Sequence, residues 1–300
     1  MSVIEVSGLT KDYGHGRGVF DVSINVEQGE CYGFLGPNGA GKTTTIRHLM
    51  GFSRPDSGSC HILGLDCRDK APQLKSGVGY LPGELAFPED LTGRGFLRYM
   101  KNLRRIDSME YCEKLLDRFE LDPTMEIYDM SLGMRRKLAV VTAFMHDPDI
   151  LILDEPTSGL DPIMQDVFIN YILDEKARGK TILLSSHMFH EVDACCDRIS
   201  IIKEGHIVAT FRTEEIQRND VYIYQVKLSD EGSYKKMLSG GFPVTNSDER
   251  HKEVRLSVET GRLADFIELM SSLGIRDFRE IPYTLEDYFM HFYRGEDENS

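Results

Sequence analysis

Residues 36 to 43 decide the fold of this chain, and they read Gly36-Pro37-Asn38-Gly39-Ala40-Gly41-Lys42-Thr43. Two glycines bracket four residues ahead of Lys and Thr, which is the complete phosphate-binding loop pattern. Glycines let the backbone curl so that successive N–H groups point at one anion, and a helix that begins where the loop ends adds its positive pole. The stretch therefore predicts a strand, a loop and a helix that together bind nucleotide phosphates.

The sequence on both sides of the loop fits this interpretation. Cys31–Leu35 is an apolar run suited to a buried strand, and Thr43–Met50 has the composition of a helix. In this pattern Lys42 reaches the β- and γ-phosphates, while the Thr43 hydroxyl ligates Mg²⁺. We therefore expect ATP with Mg²⁺ as the ligand, bound by the loop residues and by the following Thr44.

The composition of the chain limits the classes of protein to which it can belong. Its 300 residues, with a formal net charge of -14, suggest one large or two modest domains and argue against a general nucleic-acid binder. The six cysteines form no CxxC pair and lack metal-ligand spacing, which favours a reducing compartment. No apolar run approaches the roughly 18 residues of a membrane span, and the first residues show no secretory pattern. We expect an intracellular protein.

Polar residues follow two further strand-like runs. Ile150–Leu153 is apolar and is followed by Asp154 and Glu155. Asp154 is predicted to hold Mg²⁺ through its water shell, and Glu155 to accept a proton from the attacking water. Thr181–Ser186 likewise delivers His187, whose imidazole can hydrogen-bond the γ-phosphate. Without the phosphate loop, the preferred interpretation of Asp154 and Glu155 would be an acid pair in a turn, and that of His187 a helix cap or a surface residue.

In these motifs the sequence resembles the ATP-binding cassette (ABC) transporter ATPases. The match runs in order through Gly36–Thr43, Asp154-Glu155, Ser158-Gly159-Leu160-Asp161 and His187. The resemblance implies that the loop ending at Asp161 communicates between two ATP sites and contributes to nucleotide binding, and that His187 senses γ-phosphate. It also implies that the Tyr13 ring stacks on adenine; a strand-edge tyrosine is the alternative.

The signature motif of that family, Leu-Ser-Gly-Gly-Gln, appears here as Met130-Ser131-Leu132-Gly133-Met134. Ser131 is a suitable N-cap for a helix with apolar residues at helical spacing, and such a helix end can bind an anion. The resemblance implies that Ser131 and Gly133 close over the ATP of the opposite subunit in a head-to-tail dimer. A helix that is merely capped is the alternative.

A second departure lies in Gly79-Tyr80-Leu81-Pro82-Gly83-Glu84. The family places glutamine after the Leu-Pro pair, where it contacts Mg²⁺ and the transmembrane subunit, and Gly83 stands at that position here. Glu84 either supplies an oxygen to the water shell of the metal or is a solvated loop acid.

The chain divides by pattern into two parts. Residues 1–215 fit an α/β P-loop NTPase of the ABC type, a mixed-sheet core with a helical subdomain at about 90–146. Residues 216–300 fit a small α+β accessory domain, with strands at Val221–Leu228 and Glu253–Val258 and a helix at Leu263–Leu273. Thr284–Tyr293 resembles the terminal helix of bacterial exporter ATPases.

The leading hypothesis from the sequence is an ATP-hydrolysing exporter subunit. The resemblance implies a separate transmembrane subunit as partner, a homodimer or heterodimer of ATPase subunits, a peripheral position on the inner face of the plasma membrane, and no nucleic acid. The alternatives are a nucleotide-gated regulatory module with slow hydrolysis and a soluble ABC ATPase outside transport.

Overall fold

The computed structural model describes residues 2–217 and 221–281. The chain forms two compact units that divide between Thr213 and Glu214, close to the boundary placed at 215 from the sequence. None of the helices in these described ranges combines the length and the apolar character that a bilayer-spanning helix needs.

The first unit contains ten strands. They are β1 (Ser2–Asp12), β2 (Gly18–Glu27), β3 (Cys31–Leu35), β4 (Ser57–Ile62), β5 (Leu65–Asp66), β6 (Val78–Leu81), β7 (Ile150–Asp154), β8 (Thr181–Ser186), β9 (Arg198–Lys203) and β10 (His206–Arg212). The helices are α1 (Lys42–Leu49), α2 (Ala71–Gly77), α3 (Gly93–Arg104), α4 (Glu110–Arg118), α5 (Leu132–Phe144), α6 (Pro162–Ala177) and α7 (Phe189–Cys195), and α8 (Thr213–Gln217) begins at the division.

Two sheets build this unit. An antiparallel sheet has the order β2-β1-β4-β5, and a second sheet has the order β10-β9-β3-β8-β7-β6. In the second sheet β6, β7, β8, β3 and β9 run parallel, and only β10 pairs antiparallel. The predicted mixed sheet is therefore confirmed, and the carboxyl ends of β3, β7 and β8 open at one edge, where such sheets bind ligands.

Buried apolar side chains join the two sheets around α1. The cluster contains Ile4, Val6, Val22 and Val26 from the antiparallel sheet, Phe34, Ile152 and Leu183 from the parallel strands, and Ile46 and Leu49 from α1. Burying one such side chain stabilises a fold by about 1.5–3 kcal/mol. The phosphate loop therefore rests on a rigid base.

Helices α3, α4 and α5 occupy the stretch predicted to be helical, and side chains cap α3 and α5, the second of them at the predicted Ser131. The Thr92 side chain accepts a hydrogen bond from the Gly95 N–H, 3.0 Å away, at the start of α3. The Ser131 side chain accepts one from the Met134 N–H, 3.2 Å away, at the start of α5. Each cap satisfies a helix-terminal N–H that has no partner within the helix.

The second unit has the connectivity βαββαβ. Its elements are β11 (Val221–Leu228), α9 (Glu231–Leu238), β12 (Val244–Asp248), β13 (Glu253–Glu259), α10 (Leu263–Ser271) and β14 (Ile275–Ile281). The four strands are antiparallel in the order β12-β13-β11-β14, a ferredoxin-like split βαβ arrangement. The three predicted elements are present, whereas the sequence did not reveal α9, β12 or β14. The predicted helix at 284–293 lies outside the described residues.

Candidate nucleotide site

The phosphate loop has the tight backbone that its glycines predict. Gly39 and Gly41 have positive φ angles of 82° and 112°. A Cβ on Gly41 would lie 2.6 Å from Val19 Cγ1, and one on Gly36 would lie 2.4 Å from the Ile202 carbonyl oxygen. The absence of a side chain therefore lets neighbouring backbone approach Gly36 and the Val19 side chain approach Gly41, and the loop curls as an anion-binding cradle requires.

Lys42 opens α1 and is almost fully buried, although it is charged. Its Nζ donates to the Gly36 and Pro37 carbonyl oxygens at 2.5 and 3.1 Å. The same Nζ lies 3.0 Å from Glu155 Oε1, as an ion pair without hydrogen-bond alignment. The buried ammonium group is thus held beside the loop by acceptors that a phosphate oxygen can replace.

Asp154 ends β7 and is completely buried. Its Oδ1 accepts a hydrogen bond from Ser185 Oγ at 2.5 Å, while its Oδ2 has no hydrogen-bond partner among the described residues. A buried carboxylate oxygen without a partner is costly, and a metal-bound water would satisfy it. The donor set of this carboxylate and the Thr43 hydroxyl, both oxygen ligands, fits Mg²⁺.

Glu155 follows in a conformation that is uncommon for a residue with a side chain. Its φ is +50°, and its N–H donates to the Ser185 carbonyl oxygen at 3.0 Å. Its Oε2 lies 2.6 Å from His187 Nδ1, just after β8. The predicted base and the predicted sensor are therefore in direct contact, and the local strain is of the kind that accompanies functional sites.

One pocket of about 520 Å³ collects most of these groups. The predicted residues that line it are Asn38, Thr43, Asp154, Glu155 and His187, with Ser158 from the loop after β7. The six other lining residues are Arg47, Phe52, Tyr80, Pro82, Gly83 and Glu84. Of these, only Glu84 had a possible role from the sequence, as one of two alternatives. Arg47 lies one helical turn after Thr43, so helical spacing could have indicated it.

The other predicted loop residues lie where the motif requires, since Pro37 and Ala40 form the turn of the loop and Thr44 lies in the first turn of α1. Tyr13 lies in the turn after β1, where its N–H donates to the Arg17 carbonyl oxygen, and it is 51% exposed. It does not line the pocket.

Ser131, Gly133 and Asp161 also lie away from the pocket within this chain. A Cβ on Gly133 would be 3.2 Å from the Gly159 carbonyl oxygen, so the start of α5 packs on the loop that ends at Asp161. Asp161 accepts a hydrogen bond from the Met164 N–H at 3.0 Å and caps α6. Neither helix start therefore lines this chain's own pocket, and Ser131 is exposed.

Arg136 is a buried residue that sequence reasoning missed. From the second turn of α5 its guanidinium donates to the Pro82, Gly83 and Ser158 carbonyl oxygens at 2.9, 2.7 and 3.0 Å. Burial lowers the pKa of Arg136, while the nearby Asp154 and Glu155 act in the opposite direction. One side chain thus fixes two loops that line the pocket.

The comparisons with known proteins agree with this geometry. An ABC transporter family model matches residues 19–158. The chain is 32% identical to a bacitracin transport ATP-binding protein from Bacillus licheniformis over 98% of each chain. It is 36% identical to a Nod factor export ATP-binding protein from Rhizobium meliloti, over 96% of this chain and 87% of that protein.

Solved structures show the same fold. The ATP-binding subunit of an ABC transporter superposes with a TM-score of 0.65 at 31% identity, over 72% of this chain and 92% of that chain. A dimeric bacterial ABC transporter cassette superposes with a TM-score of 0.64 at 19% identity, over 70% and 98%, which bears on the fold alone. The chain therefore belongs to the ABC transporter family, as an ATP-binding ATPase subunit of the exporter type.

Proposed function

We propose that this chain is the motor of an exporter, in which ATP binding joins two cassettes and hydrolysis separates them. The observation that carries the proposal is the contact of Glu155 with both Lys42 and His187, at 3.0 and 2.6 Å, beside the phosphate loop. A base, a cation and an imidazole converge at the position where a γ-phosphate would lie.

Each residue has a distinct role in this proposal. Glu155 accepts the proton of the attacking water, and His187 orients that water and hydrogen-bonds the γ-phosphate. Lys42 and the loop N–H groups stabilise charge on the transferring phosphoryl group. Thr43 and Asp154 would hold Mg²⁺, which when bound neutralises charge on the phosphate oxygens. Release of Lys42 from Glu155 by phosphate would leave the carboxylate free to act as a base.

The proposal includes a head-to-tail dimer, as a homodimer or a heterodimer. Ser131 caps an exposed helix start, and the neighbouring Leu132 is 64% exposed. An exposed apolar side chain beside an anion-binding helix end fits a surface that a second cassette covers. Ser131, Gly133 and Asp161 would then contribute to the nucleotide site of the partner, and the half-exposed Tyr13 would stack on adenine.

The membrane partner is proposed from the relatives. The two named relatives are ATP-binding proteins of bacitracin transport and Nod factor export. We infer that this chain likewise drives a separate transmembrane subunit from the cytoplasmic side, bound peripherally to the inner face of the plasma membrane and without nucleic acid. In this proposal residues 1–215 form the motor, the helical subdomain at about 90–146 meets the membrane subunit, and residues 216–300 are accessory.

A second candidate function is a regulatory module that binds ATP and hydrolyses it slowly. Gly83 favours it, because this position has no side chain that could reach the metal. A Cβ on Gly83 would lie 3.1 Å from Asp154 Oδ2, so a larger residue requires a small displacement of that carboxylate or of the loop.

The test compares ATP binding with Mg²⁺-dependent turnover in the parent and in Glu155→Gln. We expect the variant to bind ATP as the parent does and to lose about 10²- to 10⁴-fold in turnover, because it lacks the base. The exposed Glu126→Gln is the matched control and should behave like the parent. Equal turnover in parent and Glu155→Gln would overturn the assignment, whereas a parent that binds ATP without turnover would favour the regulatory module.

A further inference from the structure

Cys31 meets the adjacent Cys195 and Cys196 in the interior of the first unit, although about 165 residues separate them in the sequence. Cys31 begins β3, while Cys195 ends α7 and Cys196 follows it. The three side chains are buried, with 0%, 2% and 4% of their surface exposed. The prediction that the cysteines lack metal-ligand spacing therefore holds along the chain but not in the fold, which brings three thiols into one cluster.

The spacing of the sulfur atoms is that of a thiolate site. Sγ of Cys196 lies 3.7 Å from Sγ of Cys31 and 3.9 Å from Sγ of Cys195, and all three sulfurs lie within 4.8 Å of one another. A point equidistant from three such sulfurs is about 2.2 to 2.5 Å from each, close to the metal–sulfur bond length of about 2.3 Å. One ion therefore fits between them with little movement.

The surroundings favour a soft cation with low coordination. Thiolates select Cu⁺ and Zn²⁺, but structural Zn²⁺ takes four ligands, and among the described residues only these three belong to the group. The Lys176 ammonium group donates to the Cys195 carbonyl oxygen at 3.1 Å and pairs with Asp197. Its charge would offset part of the negative charge of a trithiolate.

We propose that Cys31, Cys195 and Cys196 form a binding site for one Cu⁺ ion. Binding forms three S–Cu bonds, and each thiol that is protonated releases its proton to solvent, without oxidation or reduction of the metal or the cysteines. The bound ion would link the strand that leads into the phosphate loop to the helix that follows His187.

The test is an anaerobic titration of the full chain with Cu⁺ against a chromophoric Cu⁺ chelator. We expect the parent to retain one copper per chain, and Cys31→Ser or Cys196→Ser to bind it at least about 10-fold more weakly, since each has lost a ligand. Cys112→Ser is the matched control, because Cys112 is equally buried in α4 and outside the cluster. Melting curves without metal establish that each variant is folded.

X-ray absorption of the copper-loaded parent gives a readout that needs no variant. Three sulfur neighbours at about 2.2 to 2.3 Å are expected. Failure of the parent to retain copper against the chelator, oxygen or nitrogen ligands in the absorption spectrum, or an equal loss in Cys112→Ser would each overturn the proposal. None of these measurements depends on ATP, so they are independent of the proposed motor function.

Discussion

The two sides of the nucleotide pocket are built in different ways. On the side of the phosphate loop, residues of one contiguous motif form the cradle, and Lys42 and Thr43 follow directly in the chain. On the opposite side, Gly83 stands in the loop after β6 and offers no side chain to the ligand. There the buried Arg136, which lies on α5, donates hydrogen bonds to the backbone carbonyl oxygens of Pro82, Gly83 and Ser158.

The phosphate-loop side provides groups that take part in the chemistry, whereas the opposite side positions the loops that line the pocket. The first side supplies charge and hydrogen-bond donors to phosphate from one contiguous stretch of chain, in which glycines allow the tight turn. On the second side, Arg136 fixes the positions of two loops relative to β7. That side therefore depends on the tertiary contacts of one residue. We therefore expect substitutions on the first side to abolish activity, and substitutions on the second side to tune it.

Between the two sides of the pocket, the larger effect is expected for Lys42→Ala. Its Nζ is the buried cation of the cradle, and loss of one preorganised group that stabilises developing charge typically costs about 10²- to 10³-fold in rate. ATP affinity should fall as well, because the ammonium group also contacts the ground-state phosphates. Turnover and equilibrium binding of ATP measure the two effects. The exposed Lys114→Ala should change neither, and a Lys42→Ala variant with parental turnover would contradict this account of the first side.

A smaller effect is expected for Arg136→Met. The substitution leaves three backbone carbonyls without their donor, so we expect stability to fall by about 1–3 kcal/mol and kcat by about 10-fold with little change in ATP affinity. Arg136→Lys should rescue little, since one ammonium group cannot reproduce a planar fork of donors. Thermal melting together with separate kcat and Kd values measures these effects.

The neighbouring Arg135→Met is the matched control for that prediction. Arg135 also donates to backbone carbonyls, those of Ile127 and Tyr128, but both lie outside the pocket. It should lower stability without lowering kcat. Equal kcat losses in the two variants, or a loss of ATP affinity rather than kcat in Arg136→Met, would contradict the positioning role of Arg136.

The smallest effect on activity is expected for Glu191, which lies on α7 and influences the pH dependence of stability. Burial raises the pKa of Glu191 to about 8, and its carboxyl accepts a hydrogen bond from Ser186. Between about pH 4.5 and 8 the folded chain holds a proton that the unfolded chain has lost. Stability should therefore fall as pH rises through this window, by at most about 1.4 kcal/mol per pH unit from this group.

Glu191→Gln should flatten that decline, because it keeps the neutral form at every pH. Melting temperatures of parent and variant from pH 5 to 9 measure the difference, with Glu126→Gln as the exposed control. Parallel curves for parent and Glu191→Gln would show that Glu191 does not titrate in this range.

The difference between the two sides of the pocket also explains which features could be predicted from the sequence. The phosphate loop and the acids after β7 depend on local pattern, so their residues and their place at the sheet edge followed from the chain alone. The partners of Arg136 are backbone carbonyls of two distant loops, which no residue type reveals. The cysteine cluster was hidden for the same reason, because the pairing of β3 with β9 brings together segments about 165 residues apart.

The second unit shows a related limit. Val221–Leu228 alternates apolar and polar residues and was predicted as a strand. In contrast, β12 has every residue exposed and β14 has six of seven exposed, so neither carries the alternation that marks a half-buried strand. Both are edge strands of the sheet, and their pairing with β13 and β11 decides their structure.

The central claim is that ATP bound at the phosphate loop joins two chains, and that Glu155 ends this state by hydrolysis. The most direct test is the molecular mass of Glu155→Gln in solution, by light scattering, with and without ATP and Mg²⁺. The account predicts one chain without ATP and two chains with ATP, and a Lys42→Ala variant that stays a single chain in both conditions. Glu155→Gln that remains a single chain with ATP demonstrably bound would contradict it.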